Sequence, residues 1–106
     1  MRRSKLETHI DILEALVRQG PAELTFVMYE VDMSYSLLKQ YLNFLIQQDL
    51  VEDPTLHKKK HGAEAVYAIS ERGRIVLRHF KKLNNAFQAV KEAKNMLNNL
   101  VYITRS

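Results

Sequence analysis

Two stretches of the chain carry side chains suited to holding a ligand. Lys58-Lys59-Lys60, flanked by His57 and His61, is the densest cationic cluster in the 106 residues. Consecutive ammonium groups can neutralise consecutive phosphates and release their counterions, so this run predicts nucleic-acid affinity that falls steeply with salt. In the second stretch Tyr35, Ser36, Lys39, Gln40 and Asn43 fall off the apolar positions of a helical repeat. Gln40 has the paired donor and acceptor that match adenine, Lys39 suits guanine or phosphate, and the hydroxyls of Ser36 and Tyr35 suit phosphate oxygens. The bland alternatives stand beside these readings: the solvated face of an amphipathic helix, a loop kept soluble by charge, and a Tyr35 packed on the preceding helix. Arg2, Arg3 and Lys5 form a basic N-terminal arm suited to a DNA backbone or minor groove, though a basic terminus without a partner reads the same way.

Other chemistries find no support. His57 and His61 are four apart, but a helix there conflicts with the loop their surroundings predict, and no cysteine or acidic cluster accompanies them, so no metal site is expected. Glu14, Glu30 and Glu52 are scattered over different elements, and there is neither a glycine-rich phosphate loop nor a serine elbow. The expectation is a protein that is not an enzyme and takes no cofactor.

The elements that must position these residues follow from local signals. Ser4-Lys5-Leu6-Glu7 has the form of a capping box, and Leu6, Ile10, Leu13, Leu16 and Val17 recur at helical spacing until Gly20-Pro21 ends the run. Thr25 is placed to cap a short second helix reaching Val31, with Phe26, Val27 and Val31 facing the core. Asp32-Met33 makes a turn to Ser34, the N-cap of a third helix whose Leu37, Leu38, Tyr41, Leu42, Leu45 and Ile46 form an apolar stripe ending near Gln48. Helix, short helix, turn and longer helix spell a helix-turn-helix. Leu50-Val51-Glu52 and Ala65 to Ile69 read as strands around a polar, basic segment from Asp53 to Glu64, which is the pattern of a wing. Ser70 then caps a last helix that reaches about Asn99 and is free of Gly and Pro from Arg74 onward.

That last helix carries Phe80, Leu83, Phe87, Val90, Lys94, Leu97 and Val101 in alternating steps of three and four, a heptad seam broken only by Lys94. A helix of about 29 residues would be roughly 43 Å long, more than a small head can cover. No second long helix exists within the chain to cover it, so a copy of the chain is the economical partner. Phe80 and Phe87 fit the seam rather than a ligand box. Arg72, Arg74, Arg78, Lys81 and Lys82 make the helix start basic, which serves either an extended DNA footprint or the solubility of a coiled coil. The fold expected is mostly α with a small β-hairpin: a head over residues 1–70 and a long dimerisation helix over 71–106.

Met28-Tyr29-Glu30-Val31-Asp32-Met33-Ser34-Tyr35, Leu37-Leu38, Tyr41-Leu42, Leu45-Ile46, Asp49-Leu50-Val51 and Tyr67 followed by Ser70-Glu71-Arg72-Gly73 resemble the archaeal winged-helix family that includes the ten-kilodalton chromatin proteins. They are also similar to the winged-helix domain of archaellum regulators. The resemblance spans roughly residues 5–97. It implies duplex DNA binding and a homodimer joined through the last helix as an antiparallel coiled coil. The long wing with three consecutive lysines departs from the family pattern.

Composition sets the frame for these readings. The formal charge is +4 with a pI near 9.4. Residues 1–70 hold eight Lys/Arg against ten Asp/Glu, and residues 71–106 hold eight against two, so the head is mildly acidic and needs local clusters to meet phosphate. There is no cysteine, no signal-like apolar run and no stretch near the roughly 18 apolar residues of a membrane span, so a cytoplasmic, nucleoid-associated protein is expected. No residue pattern points to a small-molecule effector. The competing expectation is a winged-helix module that binds protein, favoured by the acidic head and by a third helix whose only cation is Lys39.

Overall fold

The computed structural model describes residues 4–54 and 65–104, in the order α1 (Lys5–Gln19), β1 (Ala22–Glu23), α2 (Leu24–Val31), α3 (Tyr35–Gln47), β2 (Val66–Tyr67) and α4 (Glu71–Thr104). Most of the expected wing, with Lys58, Lys59, Lys60 and His61, lies outside the described residues, as do Arg2 and Arg3.

Helix α1 forms as its sequence dictates. The Ser4 hydroxyl accepts a hydrogen bond from the Glu7 amide at 3.1 Å, and Gly20, at φ 82°, ends the helix with its amide on the Leu16 carbonyl. Ile12, Leu13 and Leu16 are fully buried, whereas Leu6 and Val17, expected on the same face, stay exposed at 58% and 39%. Helix α2 starts a residue before its expected cap: Glu23 is the N-cap and Thr25 sits inside the helix. The turn to α3 runs through Asp32, at φ 52°, a left-handed conformation that aspartate tolerates. Ser34 takes the N-cap position of α3 without making a side-chain cap. Leu38, Leu42 and Leu45 turn one side of α3 into the core with Val27, Val51, Ile69 and Leu77.

The strands are smaller than their sequence suggests and include one it did not announce. Antiparallel β1 and β2 pair Ala22 with Tyr67 and Glu23 with Val66. Leu50-Val51-Glu52 contributes only a bridge from Val51 to Ile69, supported by Glu52 N–H to the Ala68 carbonyl at 2.8 Å and Ser70 N–H to the Leu50 carbonyl at 3.0 Å. The Ala65 to Ile69 run is therefore paired on both sides in short pieces, which locks the base of the wing to the helical head.

Helix α4 begins at Glu71, directly after its expected cap Ser70, and runs 34 residues to Thr104, past the expected end near Asn99. Its start is pinned by Ser70, buried at 7% exposure, whose hydroxyl accepts from the Gly73 amide at 2.9 Å and donates to the Asp49 carbonyl at 2.6 Å. Ser70→Ala should cost about 1–2 kcal/mol, since it removes a cap and leaves that carbonyl unpaired. Urea denaturation that finds no loss would show that the cap is dispensable. Only the first three turns of α4 pack on the head, through Leu77 and Phe80; every residue from Lys81 to Leu100 is exposed.

Candidate nucleic-acid interface

With Leu38, Leu42 and Leu45 buried, the helical period turns Ser36, Gln40 and Asn43 outward as one polar stripe, and all three are exposed. Gln47 continues it by one turn, a residue the same i, i+4 step would have found in the sequence. Recesses lie on either side of the stripe.

On one side Tyr35 and Lys39 line a recess with Leu24 and Thr25 of α2 and with Ala65 and Tyr67 at the base of the wing. Lys39 does not point freely outward, as its spacing suggests. It is half-buried, and its ammonium donates to the hydroxyl of buried Tyr67 at 3.0 Å. That hydrogen bond holds the Lys39 pKa above its ordinary value, so the group stays cationic throughout the physiological range. Tyr35 remains 56% exposed at the mouth of the recess and is available to a ligand, not sealed against α2.

On the other side Lys5 and His9 of α1 face Leu37, Gln40, Tyr41 and Phe44 of α3. The His9 ring lies 4.7 Å from Tyr41, edge to face, and 4.9 Å from Phe44. Leu37, expected in the core stripe, is 44% exposed here, and Phe44, which no sequence signal singled out, is 47% exposed. Lys5, the residue of the N-terminal arm within the described range, thus lies beside the outer face of α3.

Burial of His9 pushes its pKa below the ordinary value of about 6.5. The neutral ring is favoured in the fold, so the unfolded chain binds the proton more readily. The stabilisation is complete above about pH 6.5 and is lost as the pH falls through the unfolded value toward the lower folded one. Thermal stability should therefore decline between pH 7 and pH 5, and His9→Gln should flatten that decline; an unchanged profile in the variant would assign the dependence to other groups.

Among the described residues no group of three or more His, Asp or Glu is arranged to hold a metal ion, and no helix is long and apolar enough to cross a membrane.

A three-helix head whose third helix presents a polar stripe beside a small antiparallel sheet defines a winged helix-turn-helix. The winged helix-turn-helix family profile matches residues 2–88, and the chain belongs to that family. Among solved structures it is similar to Sso10a-2, a DNA-binding protein from Sulfolobus solfataricus, at a TM-score of 0.71 and 21% identity over 92% of this chain and 96% of that one. At that identity the likeness speaks for the fold. No curated protein matches the chain.

Proposed function

We propose that the protein is a non-catalytic DNA-binding protein, a transcription regulator or chromatin organiser of the nucleoid, that grips duplex DNA as a homodimer and needs no cofactor. The observation that carries this reading is the outer face of α3, where Ser36, Gln40 and Asn43 are exposed in line above a fully buried leucine row. Such a helix enters the major groove with its N-terminal residues on base edges. Gln40 and Asn43 read bases, Ser36 and Tyr35 take phosphate oxygens, and Lys39, tethered at the wing base, meets the adjacent backbone. Leu37 and Phe44 offer apolar contact to thymine methyl groups. Lys58, Lys59, Lys60 and His61 extend the grip along phosphates, with Arg2, Arg3 and Lys5 as an arm. Membership of the winged helix-turn-helix family and the DNA-binding protein of similar fold support the choice.

In this reading residues 1–70 are the DNA-binding head and residues 71–106 join two protomers through an antiparallel coiled coil. The seam of Leu83, Phe87, Val90, Lys94 and Leu97 is exposed along its whole outer course, with Leu83, Phe87, Val90 and Leu97 each more than half accessible. Phe80 serves both sides, since it also packs on its own head.

The test is binding of the full-length protein to random-sequence duplex by fluorescence anisotropy over a series of salt concentrations, with selection of preferred sites from a pool. Salt-sensitive binding with a selected motif means a regulator; the same binding without one means an architectural protein. No binding at low salt would overturn the reading in favour of a protein-binding module.

A further inference from the structure

We propose that the cleft between α1 and residues 80–87 of α4 seats the α4 of a second copy, in a register that sets the partner's Lys94 against the carboxylates of α1. This rests on the dimer proposed above; it adds the register and brings α1 into the interface.

The cleft measures about 600 Å³, with apolar walls from Leu6 and Ile10 of α1 and from Phe80, Leu83 and Phe87 of α4. Leu6, Leu83 and Phe87 are 58%, 56% and 63% exposed within it. Its α1 rim is acidic, formed by Glu7, Asp11 and Glu14, one ridge of the helix. Glu14 also meets Arg18 at 3.9 Å across an exposed contact that can be shared. The α4 wall is the heptad seam itself, so the uncovered stripe and the acid-rimmed cleft are one continuous surface.

Such a surface fits an amphipathic helix with an apolar stripe and cations beside it. The outer part of α4 is that helix. Val90 and Leu97 continue the stripe, Lys91 and Lys94 share a face three residues apart, and Glu92 falls on the other side.

Charge and pairing then select the register. A parallel pair would stack Lys94 on the partner's Lys94 in the seam and leave the α1 cleft bare. An antiparallel pair faces each a position with a d position. Setting Phe87 opposite the partner's Val90 puts Leu83 opposite the partner's Lys94 and Phe80 opposite the partner's Leu97. It also sets Val76, 37% exposed, at the level of position 101. Every seam position from 76 to 101 is then paired. Sliding the pair outward by one heptad, with Phe87 opposite the partner's Leu97, sets the polar position 104 against Phe80 and leaves Val76 uncovered. In the chosen register Lys94 enters at Leu83, a wall of the acid-rimmed cleft. The break in the heptad thereby becomes a contact that fixes both orientation and register.

The chain has no cysteine, so engineered thiols report pairing cleanly. Leu83→Cys and Lys94→Cys proteins, each with a different tag, are mixed, exchanged and oxidised. The expected product is the mixed disulfide, with little self-linking of either variant alone. Self-linking of both would mean a parallel pair and overturn the inference, as would Leu83→Cys joining a Val101→Cys variant instead. A dimer that forms no mixed disulfide overturns the register and leaves dimerisation standing, whereas a monomeric mass by sedimentation overturns both. With Lys94 intact, Glu7→Gln/Glu14→Gln should weaken the dimer by about five- to tenfold over its two symmetric sites and flatten its salt dependence. An unchanged dissociation constant in a folded variant would overturn the carboxylate contact.

Discussion

Replacing Lys58, Lys59 and Lys60 together by alanine is expected to cut affinity for random duplex at least about tenfold near physiological salt, with a larger loss at lower salt. The physical content lies in the slope as much as in the loss. Each phosphate neutralised contributes roughly 0.9 to the dependence of log K on log salt, so removing three contacts per head should make the plot shallower by about two to three units. The head without this run holds five Lys/Arg against ten Asp/Glu, so little else in it can draw a polyanion over distance. A variant with unchanged thermal unfolding and unchanged slope would remove the wing from the mechanism. A variant that loses general affinity but keeps its preference among sites would divide the labour cleanly, with the wing for grip and α3 for reading.

Gly73→Ala should be among the most damaging single substitutions in the chain. Gly73 lies in the first turn of α4, where a Cβ would run into the Leu50 carbonyl oxygen and stand 2.7 Å from Ile69 Cγ1. Neither neighbour can yield easily. The Leu50 carbonyl already accepts from Ser70 N–H at 3.0 Å, and Ile69 is a core residue bridged to Val51. Alanine is ordinarily the better helix former by up to about 1 kcal/mol, so the sign of the effect is itself the test. The overpacking should prevail, for a net loss of about 2–3 kcal/mol and a melting temperature lower by roughly 10–20 °C. Unchanged or higher stability would mean that α4 can lift off the sheet without cost.

That glycine also shows where sequence reading and structure part. Its use in α4 is a close approach to backbone distant in sequence, and nothing local announces that. The strand β1 was missed for a similar reason, because Ala22-Glu23 has no period of its own and is extended only through its pairing with β2. Thr25 looked like a better cap than Glu23 on chemistry alone, but the pairing of β1 sets where α2 can begin. By contrast α1 and α3 were legible almost to the residue, because caps and apolar periodicity act over a few neighbours. The candidate site divides in the same way. The outward stripe of Ser36, Gln40 and Asn43 follows from helical period, whereas the tether of Lys39 to Tyr67 joins residues 28 apart and the exposure of Leu37 and Phe44 depends on where α1 stops covering α3.

The 34-residue length of α4 has a metrical consequence. In the register proposed above, Leu77, the residue that anchors each helix to its own head, lies about 23 residues along the rod from its counterpart, or roughly 35 Å. One turn of B-form DNA advances about 34–36 Å. The helix would then act as a ruler that presents two heads in phase with the double helix, and its gauge would be set in steps of seven residues. Inserting one heptad at the centre of the seam in each protomer would lengthen the rod by about 10 Å and carry the second head about a third of a turn out of phase.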